Sequence, residues 1–218
     1  MNNMSEDNKI EYKILLLGDN NVGRKSLFKK ILTEEFSEKN VSTIGIDRRI
    51  IQLDVDIQEN QTTITKSFDI SIVLTAGQER FKSITKTTFK GIDCILMIYD
   101  VTNLKSFGNF SGWIDSIHDS SDEDSKCLII VLGTKTDLIG VDEREREVEE
   151  DYAKSFCERN KIVWGGECSA KTFSADEMKE LLKGFVKQIY AEVGVRIKKE
   201  IIPKKISLKK EERKCLIF

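Results

Sequence analysis

Short apolar runs and helix-spaced apolar positions alternate along most of this chain, with polar residues at the joints. Ile14 to Leu17 is an unbroken apolar run ending in Gly18, and Leu27, Phe28, Ile31 and Leu32 follow at the spacing of one helix face. That order predicts strand, loop, helix. Five more runs read as strands: Ile50 to Val55, Ile70 to Leu74, Cys94 to Tyr99, Cys127 to Leu132 and Ile162 to Cys168. Helical spacing is predicted over Ser106 to His118, Asp142 to Asn160 and Ser174 to about Lys198. Strands that are apolar throughout are buried on both faces. The pattern therefore predicts an α/β chain, a six-stranded, mostly parallel sheet with helices on both faces. The two runs between Ile46 and Leu74 flank the polar stretch QENQTT (Gln58 to Thr63), which predicts one antiparallel hairpin.

With 218 residues, 39% of them apolar, the chain suffices for one domain with a proper core. Residues 10–195 are expected to form it, between a flexible N-terminus (1–9) and a basic tail (196–218) in which helical packing fades after Pro203. Charged residues make up 33%, yet the net charge is −2, which predicts a soluble, intracellular protein without a global basic field for nucleic acid. There is no run of eighteen apolar residues, and the polar start MNNMSEDNK lacks the core of a secretory signal. The five cysteines show neither CxxC nor metal-finger spacing. Cys94, Cys127, Cys157 and Cys168 read as small core residues, Trp113 and Trp164 as packing residues, and His118 as a surface residue.

Gly18 to Ser26 reads GDNNVGRKS. A glycine turn between strand and helix lets backbone N–H groups converge on phosphate oxygens, with the helix N-terminus adding its positive dipole end. Gly18 and Gly23 have the required spacing, and asparagine at 20 and 21 tolerates the left-handed backbone, so the amide nest around Val22 is expected to survive. The usual pattern continues with a lysine for the β- and γ-phosphates and a hydroxyl residue for Mg²⁺. Here Arg24 and Lys25 stand in those places. Sliding the chain to use Lys25 and Ser26 instead would lengthen the loop and turn the helix by about 100°; that alignment is rejected.

Downstream, in order, stand STIG (42–45), TAGQERF (75–81), YDVTN (99–103), TKTD (134–137) and CSAK (168–171). The series resembles the Ras superfamily of small GTPases over about residues 10 to 192, and STIGID, RFKSIT and YDVTNLKSF make it most similar to the Rab branch. The resemblance implies the P-loop small-GTPase fold, GTP and GDP as ligands and GTP hydrolysis as the activity. It places Gly18, Asn20, Asn21, Val22, Gly23, Arg24, Lys25 and Ser26 around the phosphates. Asp137 would accept hydrogen bonds from the guanine N1–H and exocyclic amine, and a site built for those donors rejects adenine. Lys135 would lay its stem along the base, and the Ala170 N–H would meet the guanine oxygen, with Ser169 and Lys171 shaping that loop. Phe36 would pack on the base, and Thr134 replaces the more usual asparagine, as in Rho-like relatives. Thr43 matches the switch I threonine that contacts Mg²⁺ and the γ-phosphate, Gly77 the switch II glycine, and Gln78 the catalytic residue that orients the attacking water.

Two departures coincide. The hydroxyl that binds Mg²⁺ has become Lys25, and the aspartate that holds the ion through water has become Leu74. A divalent cation needs oxygen ligands, and a nearby ammonium both repels it and competes for the same phosphates. Mg²⁺ is thus an open matter, with three readings. Lys25 is a built-in cation beside a bidentate Arg24; or Lys25 faces solvent and the site is decayed; or Mg²⁺ is held through phosphate oxygens, Thr43 and water. Slow intrinsic hydrolysis is predicted, because phosphoryl transfer depends on cation stabilisation of the bridging charge.

Within the inferred effector surface, Ile44, Gly45, Ile46, Arg48 and Val73, the resemblance would place a phenylalanine at 48 and a tryptophan at 73. The face is more basic and less aromatic, so a relative's partner does not transfer. The connection at Gln58 to Thr63 is read as a surface insertion. CLIF ends the chain in the C-a-a-X prenylation pattern on Cys215, its final phenylalanine favouring geranylgeranyl. Nine Lys or Arg against three Glu between Arg196 and Lys214 provide a second signal for an anionic membrane surface. The resemblance implies effectors, an exchange factor, a GTPase-activating protein, a prenyltransferase and a prenyl-binding chaperone as partners, with no nucleic acid. The location implied is cytoplasmic, cycling to the cytoplasmic face of an internal or plasma membrane. The expected function is a guanine-nucleotide switch in vesicle traffic; the alternative is a pseudo-GTPase, a prenylated membrane-bound interaction module.

Overall fold

The strand ahead of the glycine loop, β1 (Ile10–Leu17), starts four residues before the apolar run, because Ile10 and Tyr12 are buried in alternation with Glu11 and Lys13. The computed structural model describes residues 10–33, 35, 46–75, 89–120 and 126–195. Along them follow α1 (Arg24–Thr33), β2 (Ile46–Glu59), β3 (Thr62–Thr75), β4 (Cys94–Asp100), α2 (Leu104–Gly108), α3 (Phe110–Ser120), β5 (Leu128–Thr134), α4 (Glu150–Asn160), β6 (Val163–Glu167) and α5 (Ala175–Val193). One six-stranded sheet has the order β2-β3-β1-β4-β5-β6, and every neighbouring pair is parallel except β2 with β3.

The apolar runs are continuous because alternate residues serve different cores. Ile14, Leu16, Leu96, Ile98, Ile130 and Leu132 pack on one face with α1 and α5, through Leu27, Phe28, Leu182, Phe185 and Val186. Leu15, Leu17, Ile95, Met97, Ile129 and Val131 pack on the other with α2, α3 and α4, through Phe107, Phe110, Ile114 and Phe156. Burial pushes the Cys157 thiol up to about 11 and Cys168 to about 12, so both are neutral packing groups.

The predicted antiparallel hairpin is present, but its connection is shorter than Gln58 to Thr63. β2 and β3 pair over fourteen consecutive positions, from Ile46 opposite Thr75 to Glu59 opposite Thr62, and only Asn60 and Gln61 form the turn. Both have positive φ (47° and 66°), as a type I′ turn requires. Only from Phe68 onward does β3 also pair with β1. The tip beyond that point buries Val55 and Ile57 in the same core as the α5 residues Val186 and Ile189. A polar clasp closes it: Tyr190 Oη donates to Glu59 Oε1, and Lys66 Nζ lies 2.6 Å from that oxygen and 2.7 Å from the tyrosine oxygen. The Lys66 hydrogen bond holds the Glu59 carboxyl below its ordinary value.

Two helices also differ from expectation. The run over Ser106 to His118 is split at Asn109, which ends α2, and α2 begins two residues early, at Leu104, because Asn103 accepts from the Lys105 N–H. The predicted helix from Asp142 starts only at Glu150. Asp142 and Glu143 have positive φ, and the N–H groups of Glu147 and Val148 both donate to Val101 O, which holds this stretch against β4's exit loop. In contrast, α5 starts where its sequence indicates: Ser174 and Glu177 form a reciprocal capping box. Gln61 has φ 66°, where its Cβ is strained and glycine would not be; Gln61→Gly removes that strain at the hairpin turn, and the urea midpoint is expected to rise by the equivalent of about 0.5–1 kcal/mol.

Candidate functional site

β1 and β4 lie side by side but send their connections to opposite edges of the sheet, and the crevice beyond their carboxyl ends is where such sheets hold ligands. Gly18 opens the loop there. Its φ is 149°, and a Cβ added to it would sit 2.3 Å from Ile98 O, so the loop lies against β4's backbone at a distance only glycine permits. Asn20 and Asn21 are exposed, Asn21 is left-handed with φ 61°, and Val22 is buried under the loop. Gly23 O accepts from Leu27 N at 2.9 Å, so α1 begins at Arg24, with Arg24 buried and Lys25 and Ser26 half-buried in the first turn. Asp19 Oδ2 accepts from Asn109 Nδ2 at 2.7 Å, tying the loop to the α2–α3 junction.

Thr134, the last residue of β5, is the brace. Its buried hydroxyl lies 2.5 Å from Val22 O and 2.7 Å from Tyr99 O and shares one proton between them. Lys135 follows with φ 64°, and its ammonium pairs with Asp100 Oδ2 at 2.6 Å. The other Asp100 oxygen accepts from the Thr102 N–H and hydroxyl. Asp137 lies in the next turn, where the fully buried Ser169 donates to its Oδ1 at 2.6 Å. Ser169 Oγ also accepts from the N–H groups of Lys171 and Thr172, so one side chain shapes the Ala170 loop and aims the carboxylate.

Behind this loop is a group the motifs do not announce. Arg146 makes a bidentate bridge to Glu167, at 2.7 and 2.8 Å, and Tyr99 Oη donates to the same carboxylate. Burial, then the facing Glu167 charge, pushes the tyrosine hydroxyl well above its ordinary range. A Cβ on Gly133 would sit 2.9 Å from both Tyr99 Oη and Glu167 Cγ, so a side chain there would break the group. Glu167 adjoins Cys168, whose N–H donates to Gly133 O, and through that backbone the bridge sets where Ser169 begins. Asp100, Arg146 and Glu167 thus position site residues although sequence reasoning gave them no role. The only signals were the D of YDVTN and the E ahead of CSAK.

Leu74 is 3% exposed and belongs to the core of Leu16, Val22 and Leu27. Of the positions expected to meet effectors, Ile46 is exposed, Val73 is half-buried, and Arg48 reaches Ser71 Oγ (2.6 Å) and Glu11 (3.1 Å). Phe36, Thr43, Ile44, Gly45, Gly77, Gln78 and Cys215 lie outside the described residues. Ser169→Ala strips a hydrogen bond from two loop amides and from Asp137; stability of the purified chain to urea is expected to fall by about 1–3 kcal/mol.

A sequence model of the Ras family matches residues 13–191. The chain is 34% identical over 161 residues to the Ras-related protein Rab-11C of Dictyostelium discoideum, covering 73% of this chain and 66% of that one. It is 34% identical over 170 residues to the Ras-related protein RABG3d of Arabidopsis thaliana, covering 77% and 78%. To the Ras-related protein Rab-13 of Rattus norvegicus it is 31% identical over 209 residues, covering 94% and 95%. A family match across nearly the whole described chain and relatives aligned over most of its length agree with the sheet order: the chain belongs to the Ras family of small GTPases and is Rab-like within it.

Proposed function

We propose that the chain is a guanine-nucleotide switch acting in membrane traffic, in which Lys25 supplies at the phosphates the positive charge that the family's pattern assigns to Mg²⁺. The observation that carries this reading is the contrast between two halves of one site. On the base side, Asp137 is aimed by Ser169, Lys135 is held by Asp100, and Thr134 braces the loop. On the phosphate side, the metal positions are an ammonium-bearing residue in α1's first turn and a leucine in the core. These residues do not fit a protein-anchored Mg²⁺. Leu74 offers no oxygen, Lys25 repels a divalent ion, and no group of three or more His, Cys, Asp or Glu suited to a metal exists among the described residues.

The backbone amides of Gly18 to Gly23 and the N-terminus of α1 would bind the phosphates, with Arg24 and Lys25 as fixed cations. Asp137 would read guanine, with Lys135 and the Ala170 loop framing it, and Phe36 would pack on the base. Gln78 would orient water for GTP hydrolysis. An ammonium carries half the charge of Mg²⁺ and imposes no coordination geometry, so the switch would cycle slowly. Cys215, lipidated, and the basic tail would hold the protein at an anionic membrane on the cytoplasmic side, with effectors meeting Ile44, Gly45, Ile46, Arg48 and Val73. No helix among the described residues is long and apolar enough to cross a membrane. An exchange factor, a GTPase-activating protein, a prenyltransferase and a prenyl-binding chaperone would complete the cycle.

The same contrast suits a second reading, a nucleotide-free, lipid-tethered interaction module. Nucleotide released on denaturing the purified protein separates them: guanine nucleotide supports the switch, and an empty stable protein the module. GTP and GDP affinities are expected to change less than about threefold between EDTA and excess Mg²⁺. In the double variant Lys25→Ser/Leu74→Asp, EDTA is expected to weaken binding by about a hundredfold or more. A hundredfold loss in the unaltered chain would overturn the built-in cation. Single-turnover hydrolysis is expected at least tenfold below the roughly 10⁻⁴ s⁻¹ intrinsic rate of a Mg²⁺-dependent relative.

A further inference from the structure

β2 is an edge strand of unusual openness. It ends the sheet, and among the described residues no strand pairs with its outer side. Its fourteen residues pair with β3 without a register shift and include no Pro, Gly or Lys. Bulges, prolines and lysines are the usual means by which edge strands avoid one another. Charges are the one device present, and they are segregated. Arg48 and Arg49 stand near the start, with Asp47 ion-paired to Arg49 at 3.4 Å, while Asp54, Asp56 and Glu59 stand in the second half. A partner strand of the same sequence laid parallel would set like charges together; laid antiparallel, it sets unlike charges together.

We propose that two copies of the chain associate through their β2 edges, antiparallel about a two-fold axis at Gln52, to form one continuous sheet. Residues directly opposite in an antiparallel pair point to the same face. Symmetric registers are therefore those in which the two residue numbers have an even sum. The register centred on Gln52 keeps nearly all of the strand and places Arg48 opposite Asp56, Ile50 opposite Asp54 and Ile46 opposite Gln58, with Asp54 diagonal to Arg48. Shifting the axis to Leu53 keeps as much strand but sets Arg48 against neutral Gln58 and Ile50 against Asp56. The side chains concerned are available on the solvent face. Ile46 is 69% and Ile50 52% exposed, and the Arg48 side chain is 48% exposed. Within their own chain, Asp54 and Asp56 each engage one carboxylate oxygen, with the hydroxyls of Ser67 and Thr65. Arg48 engages Nε and Nη2, with Ser71 and Glu11.

Sedimentation of the full-length chain over a range of concentrations is expected to show a monomer–dimer equilibrium. R48E and D56R are each expected to weaken it by about tenfold or more, since each places like charges opposite at two symmetric points. The double variant R48E/D56R is expected to recover the dimer, and melting curves of all variants report that each is folded. In a C215S background, Gln52→Cys is expected to form a disulfide-linked dimer under mild oxidation, while Gln58→Cys alone does not. A chain monomeric at all concentrations, a dimer indifferent to the single reversals, a double reversal no better than the singles, or equal cross-linking at positions 52 and 58 would each overturn the proposal.

Discussion

The hydroxyl of Thr134 ties together three parts of the site that the chain order keeps far apart. It stands at the end of β5, lies within hydrogen-bond distance of Val22 in the glycine loop and of Tyr99 near the end of β4, and is buried among them. A buried backbone carbonyl without a donor is costly, so these contacts restrain the loop. Gly18 lies too close to β4's backbone for a side chain, and Lys135 can reach Asp100 because β5 and β4 are in register there. The loop's shape therefore depends more on the sheet behind it than on the side chains it presents.

That dependence explains how the glycine-loop side of the site can differ from the family's pattern at 25 and 74 while the scaffold stays. Leu74 fits because its β3 position faces the core that Leu16 and Leu27 share. A carboxylate in that place would need a metal or another cation to offset its desolvation. With an ammonium at 25, a carboxylate at 74 would attract it and, under the proposed function, draw the lysine from the phosphates. Leucine and lysine together avoid that conflict, so the two departures are consistent as a pair.

The far end of the sheet is held by a different kind of contact. Tyr12 stacks on Phe68 at 5.7 Å and donates to Gly194 O, where α5 ends, while Tyr190 meets Glu59 and Lys66 across the hairpin tip. These aromatic and polar contacts keep α5 on β1 and on the hairpin tip. The hairpin's outer face carries a polar ladder, with Gln52 on Asp69, Ser67 on Asp54, Thr65 on Asp56 and Gln58 on Thr63. Its residue types resemble those of a loop, so composition predicts the hairpin but not how far its two strands extend toward the turn.

The amino-acid sequence by itself determined β4 and β5, whose doubly buried residues leave unbroken apolar runs, and the start of α5, whose Ser174–Glu177 box is a local device. It also determined the family, through short motifs that remain adjacent in the chain. Tertiary structure alone decided that QENQTT continues two strands, because cross-strand pairing and the packing of α5 outweigh local polarity. It decided that residues 142–149 form no helix, because Val101 O captures their amides from across the fold. The pairs Lys135–Asp100 and Arg146–Glu167 belong to the same class. Their partners are brought together by strand register, a long-range property that neither periodicity nor a short motif encodes.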